Sequence, residues 1–162
     1  MKAAPPSASR PYQVLVQLLR AADTLWDASR AFFARWDLSP SQFNVLNLLE
    51  GNPSGLSQTE LSRELIMHRS NVSGLVDRLE KRGLVQRDDA AGDRRAYRVM
   101  LTPKGARLLG EVLPCYYEEA RRVCEHLSKP RAAELIADFR QIARNAERVA
   151  AGLPESERRQ KD

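Results

Sequence analysis

The sequence predicts a mainly α-helical protein carrying one small β-hairpin. Three observations support this. Apolar residues recur at alternating three- and four-residue steps near both ends of the chain. Two capping boxes, Ser39 with Gln42 and Ser57 with Glu60, mark helix starts in the middle. Two short strand-like runs, Leu84–Arg87 and Tyr97–Leu101, flank a polar tip at residues 88–95.

The elements follow in order. Residues 1–10 carry two prolines among Ala and Ser and read as a flexible arm. From Tyr12 to Trp36, Leu15, Leu18/Leu19, Ala22, Leu25/Trp26, Ser29, Phe32/Phe33 and Trp36 form one helical stripe without Pro or Gly. Ser39-Pro40-Ser41-Gln42 then opens a helix whose inward face is Phe43, Leu46 and Leu49, and Gly51–Gly55 ends it as a loop. Ser57 caps a short helix from Gln58 to about Leu65. The next helix spans 69–82, with Val72, Leu75, Val76 and Leu79 inward and Gly83 as its stop. After the hairpin, Thr102-Pro103 starts a helix to about Leu127, bent at Pro114. Ser128-Lys129-Pro130 breaks it, and Leu135, Phe139, Ile142, Ala146 and Val149 mark the last helix. Residues 152–162 are polar and read as a frayed end.

The totals narrow the function. The chain has 162 residues, enough for one domain with extensions, and 43% hydrophobic against 29% charged residues is ordinary for a globular protein. It has no apolar run of membrane-spanning length and no secretory signal, so no membrane partner is expected. Its two cysteines, Cys115 and Cys124, stand nine apart on one expected helix, roughly 13 Å along the axis and on opposite sides. No disulfide between them is expected, and a reducing cytoplasm is the natural compartment. Two His residues build no metal cluster. No Gly-rich phosphate loop, nucleophile elbow or catalytic His/Asp/Glu spacing is present, so neither an enzyme nor a resident cofactor is expected.

The net charge of +5 favours an anionic partner, and Ser57–Gly105 holds ten Lys/Arg against seven Asp/Glu. A capped helix, a second helix starting with small polar residues and a hairpin with an arginine-bearing tip suit a winged helix-turn-helix that reads double-stranded DNA. His68, Arg69, Ser70, Asn71 and Ser73 are the candidates for base edges, with Gly74 leaving room for close approach. Ser57, Gln58 and Thr59, with the amides of that helix start, and Arg63, Arg78, Lys81 and Arg82 are candidates for the phosphate backbone. Each basic residue can instead be a salt-bridge partner, as Asp77–Lys81 at i,i+4 illustrates. At the tip, Arg95 is placed to enter a minor groove beside Arg94, and Asp93 either holds the hairpin or orients that arginine.

LSPSQFNVLNLLE, LSQTELSRELIMHRSNVSGLVDRLEKRGLVQR and DRRAYRVMLTPKG resemble the MarR family of bacterial transcription regulators across about residues 38–110. The resemblance implies a homodimer. Its N-terminal helix (11–36) and C-terminal helices (103–151) would interlock, and two winged lobes (38–102) would read an inverted repeat through recognition helix 69–82 and wing 88–95. It implies that Arg69, Ser70, Asn71 and Ser73 read bases, that Arg78 contacts backbone, and that Asp93 and Arg95 form the wing motif. It also implies a ligand-responsive repressor with a small aromatic or phenolic effector, and Trp26, Phe32, Phe33, Trp36 and Phe43 are the candidates for lining that pocket. The apolar stripes fit a dimer or a monomeric bundle. The competing readings are a winged-helix protein–protein module and a regulator that senses oxidants through Cys115 or Cys124.

Overall fold

A computed structural model of the chain describes residues 9–65, 69–89 and 97–152. They form α1 (Arg10–Phe33), a 3-10 turn (Ala34–Trp36), α2 (Pro40–Glu50), β1 (Leu56–Ser57), α3 (Gln58–Glu64), α4 (Arg69–Lys81), β2 (Val85–Asp89), β3 (Tyr97–Leu101), α5 (Pro103–Val123) and α6 (Lys129–Gly152). The mainly helical class with a small antiparallel sheet is as expected. Among the described residues no helix is long and apolar enough to cross a membrane.

Local chemistry explains most boundaries. Pro11 lies in the first turn of α1, where its missing N–H costs nothing. The α-helix expected to reach Trp36 stops at Phe33 and tightens into a 3-10 turn, because Asp37 adopts a left-handed conformation (φ 53°) that turns the chain into α2. Both capping boxes are present, with Gln42 N–H donating to Ser39 Oγ and Glu60 N–H to Ser57 Oγ, each at 3.2 Å. Gly83, at φ +68°, ends α4 as its spacing predicts. Helix α5 ends at Val123 rather than near Leu127, and Pro114 is accommodated inside it. Ser128 starts α6 by accepting the Arg131 N–H at its Oγ (3.4 Å).

The sheet has one strand more than the expected hairpin. Its order is β1-β3-β2, antiparallel throughout, with Leu56 opposite Val99 and Arg87 opposite Val99 on the other side. β1 is two residues long, too short to show a period of two, and Ser57 within it also caps α3.

Contacts divide the chain into two units, one ending at Cys115 and one starting at Tyr116. The first holds the core. Phe33 from α1, Phe43, Val45, Leu46 and Leu49 from α2, Leu61 from α3, Val72, Val76 and Leu79 from α4, Val99 from β3 and Leu109 and Val112 from α5 are all at most 2% exposed. The residues expected to face inward in α2 and α4 are buried, and Val45 of α2, not among those expected, is buried with them. The stripe of α1 behaves differently. Only Phe33 is buried, while Leu15, Leu19 and Leu25 are at least half exposed. In the second unit α6 buries none of its residues, and Ile136, Phe139 and Val149 are exposed.

Candidate nucleic-acid interface

The helix expected to read DNA is held at its C-terminal end and along one flank, by contacts from other elements. At its C-terminal end, the Arg82 guanidinium donates to the Asp37 carbonyl and, at 3.3 Å, to the Trp36 carbonyl, and it lies 3.4 Å from the Asp37 carboxylate. The LTPKG segment closes the same end. Thr102 Oγ1 donates to Gly83 O (2.7 Å) and accepts the Gly105 N–H (3.0 Å), and Lys104 Nζ donates to Arg82 O (2.7 Å). Arg87 holds the flank of the helix. Its fork pairs with Asp77 and Glu80, its backbone N–H donates to Glu80 Oε1 (3.1 Å), and its guanidinium lies 5.0 Å from the centre of the Tyr97 ring. Burial lowers the Arg87 pKa, but the hydrogen bonds with Asp77 and Tyr97 and the charge of Glu80 outweigh it, so the net shift is upward and the charge is secure.

Several sequence-based roles are revised. Arg82 was a phosphate candidate, but its donors are directed to carbonyls of the α1–α2 junction. The Asp77–Lys81 pair is replaced by Asp77–Arg87, because the hairpin returns an arginine to that side of the helix. Among the described residues Arg63, Arg78 and Lys81, all exposed, enter no ion pair. The Ser57 hydroxyl and N–H are both taken up in the α3 capping box, the N–H donating to Glu60 Oε2 at 2.7 Å. That bond, the Ser57 hydroxyl and the charges of Arg98 and Arg63 together lower the Glu60 pKa, with desolvation opposing. The chain's own carboxylate therefore takes up the Ser57 N–H at the helix start. Gln58 Nε2 is buried and has no partner among the described residues, whereas Thr59 is exposed.

Within α4, Asn71 is exposed and Ser73 half-buried, one helical step to either side of the buried Val72. Among the described residues, a Cβ at Gly74 would meet only the Arg78 guanidinium, at 3.7 Å. Arg69 and Ser70 are placed by backbone as the first two residues of α4. His68, the wing residues Asp93, Arg94 and Arg95, and the side chains of Arg69 and Ser70 lie outside the described residues.

Four of the five aromatic candidates for a ligand pocket cluster at the α1–α2 junction. Phe33 and Phe43 stack with ring centres 4.3 Å apart and are each 2% exposed, so they are core residues rather than lining. Phe32 and Trp36 are half-buried, and the Arg35 guanidinium lies 4.4 and 4.6 Å from their ring centres. Trp26 stands apart on α1, 40% exposed. Cys115 and Cys124 are free and exposed. Among the described residues no group of His, Cys, Asp and Glu is arranged to hold a metal.

A capped helix, a following helix with an outward basic face and a three-stranded sheet packed beside them define a winged helix-turn-helix protein. Comparisons with known proteins agree. A family model described as the MarR family matches residues 36–96. The chain is 34% identical over 125 residues to the transcriptional repressor NicR of Pseudomonas putida, covering 74% of this chain and 75% of that one. The solved structure of the repressor CouR bound to a 23-mer DNA duplex is 32% identical with a TM-score of 0.73, covering 88% of this chain and 98% of that one. PcaV of Streptomyces coelicolor, solved in complex with its natural ligand, is 25% identical with a TM-score of 0.71, covering 89% and 99%. This chain belongs to the MarR family, and it is a DNA-binding transcription regulator rather than an enzyme.

Proposed function

We propose that this regulator is a homodimeric repressor that binds an inverted-repeat operator and releases it when a small aromatic or phenolic effector binds. The observation that carries the DNA-reading part is the outward face of α4. Asn71, Arg78 and Lys81 are exposed there, and among the described residues the two arginine/lysine side chains lack counter-charges. His68, Arg69, Ser70, Asn71 and Ser73 are the base-reading residues of this proposal. Arg63, Arg78, Lys81 and Thr59 contact phosphates, and Asp93, Arg94 and Arg95 form the wing in the minor groove.

The dimer is supported by exposed apolar residues on α1 and α6, which a second copy would cover. Segments 11–36 and 103–151 then act as dimerisation helices around lobes of residues 38–102. Half-sites would lie about one helical turn apart or a multiple of it. The effector is supported by PcaV, whose structure holds its natural ligand, and repression by NicR, which is named as a repressor. Of the aromatic candidates, Trp26, Phe32 and Trp36 keep enough exposed surface to meet such a ligand. The site of action would be the cytoplasm, where the DNA is.

A mobility-shift titration on the region upstream of the gene and on neighbouring promoters tests the reading. Binding should prefer one fragment over random duplex and weaken steeply with salt. Equal affinity for all fragments, or none, would sink it.

A further inference from the structure

Asp77 lies on the outermost ridge of α4. At about 100° per residue it shares that ridge with Gly74 and Lys81, roughly opposite the buried Val72, Val76 and Leu79. Glu80 lies on the flank facing β2. Both carboxylates sit on the helix proposed to meet phosphates, where an uncompensated negative charge would be repelled. Both share one counter-charge, which halves their net charge. The Arg87 fork spans the two, and its side chain is only 23% exposed, so the pair of contacts is partly shielded from solvent and salt. Arg87 is also anchored from behind. Its backbone N–H donates to Glu80, it pairs in register with Val99, and the Tyr97 ring packs against its guanidinium. Tyr97 is the first residue of β3, two positions after the segment expected to form the wing tip.

We propose that Arg87 is a positioning residue for DNA reading: its fork fixes the hairpin to the recognition helix and offsets one of the two negative charges that Asp77 and Glu80 place on that helix. Arg87 need not touch DNA to do this. The geometry requires a planar fork. A lysine ammonium would supply charge but could not hold Asp77 and Glu80 in one rigid plane. The inference rests on the DNA-reading function proposed above and adds to it a residue outside the expected contact set.

The test uses the full chain and three variants: Arg87→Gln, Arg87→Lys, and the triple variant Asp77→Asn/Glu80→Gln/Arg87→Gln, which removes clamp and carboxylates together. Affinity is measured for the preferred upstream fragment and for a random duplex of equal length. Amide hydrogen exchange is measured alongside without DNA. Arg87→Gln should lower affinity for the preferred fragment by about tenfold, a loss of the size seen when a coupled residue outside a contact is removed. It should also speed exchange in β2 and β3 while leaving the core of α2 protected. Arg87→Lys should recover random-duplex binding but not the preference, and the triple variant should behave likewise. Unchanged exchange in β2 and β3 of Arg87→Gln would overturn the clamp whether or not DNA binds. Full recovery of the preference by Arg87→Lys or by the triple variant would overturn positioning in favour of charge alone. Failure of the parent chain to bind any duplex would overturn the DNA-reading function instead, and exchange would still decide the clamp.

Discussion

Gly105 shows how one residue can be dictated by a neighbour twenty-one positions away. A Cβ there would overlap the Leu84 backbone carbonyl, which is held by Thr102 and cannot easily retreat. Gly105→Ala should therefore destabilise the lobe by about 1–3 kcal/mol, the usual cost of forced overpacking, read as a lowered urea midpoint at unchanged slope. Glu60 makes a different prediction. Its folded pKa is below the ordinary 4.5, so its contribution is fully present above that pH and is lost as pH falls through the folded value. Unfolding titrations should show stability dropping on the acid side of about pH 4.5, with a shallower drop in Glu60→Gln. A profile identical in the two proteins would remove Glu60 from the account. The same scale shows where sequence reading stops. Ser57 and Glu60 were legible because a capping box spans three residues. Arg82 was legible as a basic residue but not as a tie to Asp37, because nothing in VDRLEKRGLV indicates what lies beside its end.

At the scale of elements, α4 has two kinds of polar residue. Asp77 and Glu80, and Arg82 just beyond its end, are paired with other parts of the lobe, while Asn71, Arg78 and Lys81 are exposed and Arg78 and Lys81 enter no ion pair among the described residues. The proposed roles then separate in a binding experiment. Asn71→Ala should cost about 1–3 kcal/mol on the preferred fragment and relax discrimination at one base pair. Arg78→Ala should weaken all duplexes alike and reduce the salt slope by about 1. If both variants lose the same factor on preferred and random DNA, Asn71 is not reading a base. Helix positions and inward faces were readable from period alone in α2 and α4. The third strand was not, since β1 is defined by the partner it meets, Leu56 opposite Val99, rather than by its own two residues.

For the whole molecule, the apolar residues of α1 set the expectation. Leu19 is 70% exposed, yet it continues the stripe that ends in the buried Phe33. A charge introduced there should leave the lobe folded and split the proposed dimer. Leu19→Glu is expected to sediment as a monomer at concentrations where the parent is a dimer, and to lose more than about tenfold in operator affinity because two half-sites are no longer engaged together. A dimer of unchanged stability would place the interface elsewhere.

The helices, their caps, the hairpin and the family followed from the amino-acid sequence, because each depends on residues within about one turn of one another or on a run of motifs. The α1 stripe was also visible there, though sequence could not distinguish a dimer from a bundle. The tertiary structure decided which charged residues are spent inside the lobe. Arg82 reaches Asp37 across 45 positions, Arg98 reaches Gly55 across 43, and Arg87 reaches Asp77 across 10. Such pairs form only after the chain has turned back on itself, so the basic residues left to face DNA are known only once these partners have been found.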